Sequence, residues 1–198
     1  MSSIAIYMEG GGGKANSKAM VRTGMDAFLA EIKSAYRAKE WRWKMVACGG
    51  RDEAYKGFRN GDADILVLLV DSEDPVSLTP TDHLKARDGW NLNGVNDDHV
   101  HLMVQSMEAW IVADPDALAA YYGQHFQANA LPLRQNLEEG SKVDIARALD
   151  RATQKTQKGK YHKIQHARHL LQRINSTIVC KRCFHCKRLF ETLPKLIP

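Results

Sequence analysis

The chain has no long apolar run, so no membrane-spanning helix is predicted. No uninterrupted stretch among its 198 residues approaches the ~20 apolar residues that a membrane-spanning helix needs. Its first residues show no basic region followed by an apolar segment and a cleavage site, so no signal peptide is predicted. The sequence therefore predicts a globular protein with a cytoplasmic location and no membrane partner.

Cysteine is scarce as well. The four cysteines are Cys48, Cys180, Cys183 and Cys186, and without a secretion signal we expect reduced thiols. The last three have the C-x-x-C-x-x-C spacing of some zinc and iron–sulfur sites, but no fourth cysteine lies nearby. They also continue an apolar stripe at helical spacing from Val179 to Leu193. We predict that Cys183 and Cys186 are buried, reduced and metal-free.

Negative charge is scarce in the last part of the chain. From Lys142 to the end there are 14 Lys and Arg against 3 Asp and Glu, a balance of +11, whereas the remainder of the chain has a balance of −6. This division indicates a cation-holding region beside a surface that attracts polyanions. The basic residues could instead form a solvated helix face or dock on an acidic partner.

Three short apolar runs, each ending at or near an acidic residue, are the most informative feature present. Runs of this length and composition are typical of buried parallel strands, and ligands bind at the carboxyl edge of such sheets. Folding would gather the acidic residues at that edge, where Mg²⁺ or Mn²⁺ would relieve their repulsion. Acidic residues after strands can alternatively serve as helix caps. The runs are Ser3–Met8, Asp64–Val70 and His101–Gln105, and the acidic residues are Glu9, Asp71, Glu73 and Glu108.

The alternation of strand and helix predicts an α/β fold with a mostly parallel, Rossmann-like sheet flanked by helices. We predict one helix through Met25 and Tyr36, a strand at Trp43–Cys48, and a short helix capped by Asp52 and ended by Gly61. A long loop from 74 to 98 with one helical turn should follow. Further predicted elements are a strand over 99–105, a helix over 107–112, a helix capped by Asp114 and running to Tyr122, and helices from Asp144 onward. The predicted division is an α/β domain over 1–125 and a helical basic extension over 126–198 that packs on it, with a single structural unit as the alternative.

Two further groups of residues are candidates for phosphate contacts. The glycines at 10–13 precede Lys14, but they do not match G-x-x-x-x-G-K-[ST], so a nucleotide phosphate loop is not predicted. Basic residues cluster around His83–Asp88 and Lys158–Lys163, and either cluster could clamp phosphates or be exposed loop residues. Trp110 is predicted to be a core residue. The predicted phosphate-contact residues are Lys85, Arg87, Lys158 and Lys163.

Several long motifs resemble a bacterial family known only as a domain of unknown function, family 4276. The segments are YMEGGG (7–12), CGGRD (48–52), LVDSE (69–73), DHLKARD (82–88), LMVQSMEAW (102–110), GKYHK (159–163) and RLFETL (188–193). That family is in turn similar to the Toprim superfamily of topoisomerases, primases and nucleases, whose pattern is a glutamate after the first strand and D-x-D after a later one. Glu9 fits the first position, and Asp71-Ser72-Glu73 fits the second with glutamate in place of the last aspartate. Glu108 resembles the additional acidic residue of the nuclease branch.

The resemblance implies a Toprim-like, divalent-metal-dependent nuclease that acts on DNA or RNA. In this reading Asp71 and Glu73 hold Mg²⁺ or Mn²⁺, and Glu9 binds a second metal or acts as general acid/base. Glu108 would complete a two-metal clamp. Relatives of this kind are often associated with an ATPase of the ABC or SMC-like type and with phage defence. The alternatives are a non-catalytic Toprim-like subunit docking on such an ATPase and a nucleic-acid-binding module without a metal.

Overall fold

The computed structural model describes all 198 residues of the chain. Its sheet has four strands, all parallel to one another, and is flanked by helices. The strand order is β2-β1-β3-β4, so β1 and β3 are central. The predicted α/β class and parallel sheet are confirmed. In chain order the elements are β1 Ser3–Gly11, α1 Ala15–Phe28, α2 Ala30–Ala38, β2 Arg42–Gly49, α3 Arg51–Arg59, β3 Ile65–Asp71, α4 Pro80–Asp88, β4 Val100–Met103, α5 Met107–Val112, α6 Pro115–Tyr122, α7 Lys142–Thr153, α8 Gln165–Leu171, α9 Ser176–Arg182 and α10 Phe184–Thr192.

Alternation along the central strands divides the interior into two cores. Ile4, Ile6 and Met8 face the larger core, whereas Ala5 and Tyr7 face the smaller one. The larger core is covered by α1 and α2 together with the helices from α5 to α10, and the smaller core by α3 and α4. Because successive strand residues point to opposite faces, an uninterrupted apolar run is what a doubly covered strand requires. Residues from both predicted segments, 1–125 and 126–198, contribute to the larger core.

Several predicted boundaries are wrong for local reasons. The predicted helix through Met25 and Tyr36 is in fact two helices, α1 and α2, separated at Leu29. Both helices pack on the larger core, so the apolar spacing runs through the break without marking it. α3 begins at Arg51 with Gly50 as its cap, and the Asp52 carboxylate instead accepts a hydrogen bond from Trp90 Nε1. That helix ends before Gly61, at Arg59.

The loop after β3 contains more helix than the sequence predicts, and the final helix contains a break. α4 has nine residues, because Thr79 caps it, Pro80 begins it and Gly89 ends it in a left-handed conformation. The stripe from Val179 to Leu193 is interrupted at Cys183, whose extended backbone separates α9 from α10. The bounds of α5 and α6 agree with the prediction, and so does the cap of α6, where Asp114 accepts from the Ala117 N–H at 3.2 Å. None of the helices is both long and apolar enough to cross a bilayer.

Candidate metal centre

Glu9 lies in an irregular end of β1. Glu9, Gly10 and Gly11 all face Gly49 of β2, so the register slips at each step and the strand bends. Gly11 has φ +91, and a Cβ there would lie 2.6 Å from the Lys18 backbone, so only glycine fits. The Glu9 carboxylate accepts from the Asp71 N–H at 3.3 Å. Burial raises the pKa of Glu9, although nearby Arg51 opposes this shift.

Asp71 is the last residue of β3 and the most buried carboxylate of the group, at 2% exposure. Its Oδ1 accepts from the Met107 N–H, at the start of α5, at 2.8 Å. Burial, followed by repulsion from Glu9 and Glu108, raises the pKa of Asp71 to about 8. A raised pKa favours the protonated form of this carboxyl group, and a bound divalent cation would favour the ionised form.

Glu73 follows two residues later in a left-handed backbone conformation, with φ +65. This conformation is uncommon for a residue with a side chain, and strained residues of this kind cluster at functional sites. The Glu73 N–H donates to the Gln105 carbonyl at 2.9 Å, which fixes the turn beside the end of β4. Both Glu73 carboxylate oxygens accept from Lys142 Nζ at 2.7 Å.

These three residues form what we call the carboxylate centre: Glu9, Asp71 and Glu73, with one oxygen of each lying within 4.8 Å of the others. Opposite oxygens around a six-coordinate Mg²⁺ lie ~4.2 Å apart, so small side-chain movements would let the three share one ion. An all-oxygen ligand set suits Mg²⁺ or Mn²⁺. The residues therefore fit a hard divalent cation.

Glu108 lies beside the carboxylate centre and is bonded elsewhere. It is a buried residue in the first turn of α5, and its Oε1 accepts from the Tyr161 hydroxyl at 3.2 Å. Burial and then the Glu108 charge raise the pKa of Tyr161 well above its ordinary value. Glu108 acts on Asp71 through its charge rather than by joining the group of mutually close oxygens.

Two lysines from the C-terminal part of the chain lie beside the carboxylate centre: Lys142 at the start of α7 and Lys163 in the turn before α8. Lys142 Nζ lies 3.8 Å and Lys163 Nζ 3.9 Å from Asp71 Oδ2. Desolvation would lower the pKa of Lys163, but the neighbouring carboxylates, led by Glu108 and Asp71, outweigh it and raise that pKa. The centre is thus neutralised by side chains from the other end of the chain.

Arg51 is a third cation that the sequence did not single out. Its guanidinium donates two hydrogen bonds to the Asp88 carboxylate, at 3.2 and 2.7 Å. Another nitrogen donates to the Asp71 carbonyl at 2.6 Å and to Glu9 at 3.3 Å. Arg51 thereby connects α4 to the ends of β1 and β3. The CGGRD segment was the one available signal, and it does not reveal which residues Arg51 contacts.

An open cavity of about 430 Å³ is lined by two members of the carboxylate centre, Glu9 and Asp71. Its lining combines the carboxylates of Glu9 and Asp71 with Lys163, His162 and a glycine-rich edge. A glycine-rich edge lets a ligand approach the backbone closely. The lining residues are Glu9, Gly10, Gly11, Gly12, Gly49, Asp71, Met103, Met107, Tyr161, His162, Lys163 and Ile164.

The predicted phosphate-contact residues separate into three settings. Lys163 lies at the cavity. Lys158 lies over the Tyr121 ring at 5.2 Å, with Arg173 over the same ring at 5.4 Å, and neither cation has a carboxylate partner. Lys85 and Arg87 are on α4, where Lys85 pairs with Asp82 and Arg87 donates to Asp74 and Asp88.

Trp110 is completely buried, which confirms its predicted place in the core. Its ring packs 5.6 Å from that of Phe28.

The fold and the site define a parallel α/β protein with an acidic centre at the carboxyl edge of its sheet. The family model of a domain of unknown function, DUF4276, matches residues 8–194, so the chain belongs to that family. No curated protein and no solved structure matches the chain.

Proposed function

We propose that the protein is a divalent-metal-dependent nucleic-acid phosphodiesterase of Toprim-like character. The observation that carries the proposal is the convergence of Glu9, Asp71 and Glu73 at adjacent strand ends, with one oxygen of each within 4.8 Å of the others. β1 and β3 are neighbours in the sheet, so Glu9 near the end of β1 meets Asp71 at the end of β3 and Glu73 just beyond it. This is the arrangement that the Toprim resemblance implies.

The chemistry needs a cation and a phosphate together, and the cavity offers contacts for both. Glu9, Asp71 and Glu73 would hold Mg²⁺ or Mn²⁺, which when bound lowers the pKa of water and neutralises charge on a phosphodiester. Lys163 and His162 line the same cavity and can contact the phosphate. Glu108, held by the Tyr161 hydroxyl, adds negative charge beside Asp71 and so favours a cation there.

DNA or RNA is the substrate class that we propose, because a backbone of repeated phosphates can reach both the cavity and cations outside it. Lys158 and Arg173 at Tyr121 are such cations, since no acidic residue pairs with them. An ATPase of the ABC or SMC-like type, acting with the protein in phage defence, is the partner that the resemblance implies.

One observation favours a second candidate, a non-catalytic Toprim-like subunit. Lys142 already contacts both Glu73 oxygens, at 2.7 Å, and so supplies the positive charge that a metal would otherwise bring. A protein that keeps this contact permanently would have no need of a metal. Such a subunit could dock on an ATPase or bind nucleic acid without cutting it.

Cleavage and metal binding, measured together, separate these candidates. The full chain is incubated with single-stranded DNA, duplex DNA and RNA in Mg²⁺, Mn²⁺ or chelator, and metal binding is followed by isothermal titration calorimetry. We expect cleavage of at least one substrate only with metal, and loss of both cleavage and binding in Asp71→Asn and Glu73→Gln. Asp116→Asn, which removes an exposed carboxylate on α6, is the matched control and should behave as wild type.

Two results would overturn the proposal. Failure of the wild-type protein to bind either metal, with or without nucleic acid, would favour the non-catalytic subunit. Cleavage that persists equally in chelator and in Asp71→Asn would show that the carboxylate centre does not carry the activity.

A further inference from the structure

Two of the four cysteines lie against each other where α9 meets α10. Cys180 is in the last turns of α9 and Cys186 is in α10, and their sulfur atoms are 3.8 Å apart. The break at Cys183 makes this contact available, because residues six apart on one continuous helix would lie nearly two turns from each other. The break in the predicted apolar stripe thus creates a thiol pair.

The pair is asymmetric in exposure. Cys180 is half-buried and lines an open surface depression of about 460 Å³, together with Lys181 and Lys187. Cys186 is completely buried. A small oxidant in solvent therefore reaches the Cys180 sulfur and not the Cys186 sulfur.

The protonation chemistry agrees with this asymmetry. The hydrogen bond with Cys186 lowers the pKa of Cys180, so its thiolate is more available than an ordinary one. Burial raises the pKa of Cys186 well above its ordinary value. An accessible thiol of lowered pKa beside a protected second thiol is the usual arrangement of a redox-sensing pair.

The other two cysteines do not share this environment. The Cys183 sulfur contacts the Ala109 carbonyl of α5 at 3.8 Å, and burial raises its pKa. Cys48 is in β2, and burial raises its pKa also. The three clustered cysteines are not mutually close enough to hold a metal ion.

We propose that Cys180 and Cys186 form a reversible disulfide in response to a peroxide, with Cys180 as the reacting thiol and Cys186 as the resolving thiol. The Cys180 thiolate attacks one oxygen of hydrogen peroxide, so an S–O bond forms, the O–O bond breaks and hydroxide leaves. The Cys186 sulfur then attacks the Cys180 sulfur, and the S–S bond forms as the S–O bond breaks. The Cys186 proton and the hydroxyl leave as water, and the two electrons lost by the sulfurs reduce the peroxide.

Intact mass spectrometry of the full chain tests the proposal. Reduced protein is treated with stoichiometric hydrogen peroxide, alkylated under denaturing conditions and weighed. We expect the wild type to lose two hydrogen atoms, to retain two alkylated cysteines, and to yield on digestion a peptide pair joined through Cys180 and Cys186. Dithiothreitol should restore four alkylated thiols.

The variants assign the roles. Cys186→Ser should stop at a Cys180 sulfenic acid that dimedone traps, and Cys180→Ser should resist oxidation because the remaining thiol of the pair is buried. Cys48→Ser is the matched control and should form the disulfide as wild type does. Four alkylated thiols in peroxide-treated wild type, or a disulfide that includes Cys48 or Cys183, would overturn the proposal. The wild-type result decides the matter even if a serine at the buried position impairs folding.

Discussion

The acidic edge of the sheet and the basic C-terminal segment, residues 142–198, differ in charge and meet at one site. The acidic edge supplies the carboxylate centre, and the basic segment supplies Lys142 and Lys163 opposite it. The charge balance along the chain indicates two separate binding regions, an acidic one for a cation and a basic one for a polyanion. The structure shows that part of the positive charge is used to neutralise the negative charge within the same molecule.

Other basic side chains of the segment serve the fold. Arg182 donates to four backbone carbonyls, those of Val112, Ala113, Pro132 and Arg134. Arg188 donates to the carbonyls of Val100 and Asp97. The surface left to attract nucleic acid is therefore smaller than the balance of +11 indicates. Four predictions, in order of expected effect, test how far the two regions depend on each other.

The largest effect is expected from Asp71→Asn in chelator. The folded pKa of Asp71, about 8, lies above its value of ~3.9 in unfolded chains. Its contribution to stability is complete below pH ~4, declines between these values and is lost once the pH has risen through about 8. Wild-type unfolding free energy should therefore fall by at most ~1.4 kcal/mol per pH unit from this group. Asn keeps an acceptor for the Met107 N–H, so the variant should be more stable than wild type at pH 8.

Urea unfolding from pH 5 to 9, with Asp116→Asn as control, measures this difference. The control should have the wild-type slope. A wild-type slope that Asp71→Asn leaves unchanged would show that Asp71 is ionised in the folded protein without metal.

Lys142→Met should tighten Mn²⁺ binding by about tenfold. A cation at the carboxylate centre competes with Lys142 for Glu73, so metal binding must break the hydrogen bonds between Lys142 and Glu73. A charge-assisted hydrogen bond contributes ~1.5–3 kcal/mol, and the lower value applies here because the Lys142 side chain is one-third exposed. Calorimetry should show the gain, and Lys160→Met, which affects a lysine paired with Asp150, should not. Weaker binding in Lys142→Met would mean that the lysine supports the metal-bound arrangement.

Tyr161→Phe should lower the unfolding free energy by ~1 kcal/mol, because it removes one hydrogen bond and keeps the ring. The bond lost is the one from the hydroxyl to Glu108. Urea unfolding at pH 7 measures the change. Phe126→Tyr does not touch this bond and provides a comparison for the effect of one hydroxyl. An unchanged free energy would show that water replaces the hydroxyl at Glu108 without loss.

The smallest effects are expected on the salt dependence of nucleic-acid binding. The slope of log affinity against log salt is ~−0.9 per phosphate contacted on duplex DNA. Lys158→Ala should make it shallower by about one unit. Lys163→Ala and Lys160→Ala should each have a smaller effect, because Asp71 already pairs with Lys163 and Asp150 with Lys160. Lys56→Ala on α3 is the control. A triple variant of Lys158, Lys160 and Lys163 with the wild-type slope would exclude this part of the basic segment from nucleic-acid contact.

The sequence predicted the acidic side of the site better than the basic side. Runs such as Asp64–Val70 mark doubly covered strands, and parallel strands bring the residues after them to one edge whatever surrounds the sheet. Glu9, Asp71 and Glu73 could be brought together on that basis. Lys142 and Tyr161 could not, because they reach the site through the packing of α7 and the turn before α8, which no local pattern encodes. The break at Cys183 could not be predicted for a similar reason, because the apolar spacing from Val179 to Leu193 fits both one straight helix and two helices with a break between them.

The order of residues along the chain has a consequence for biosynthesis. All four carboxylates, from Glu9 to Glu108, are synthesised before Lys142 and Lys163. Glu73 and Lys142, which contact each other in the folded protein, are 69 positions apart in the sequence. The partner of the Tyr36 hydroxyl is synthesised later still, because that hydroxyl donates to the Leu193 carbonyl, 157 positions away. At ~5–20 residues per second, seconds pass between the synthesis of the carboxylates and that of the two lysines, and Arg51 is the one cation of the site made before then. The segment from Lys142 to Lys163 therefore supplies its positive charge to the acidic edge of the sheet only after all four carboxylates have been synthesised.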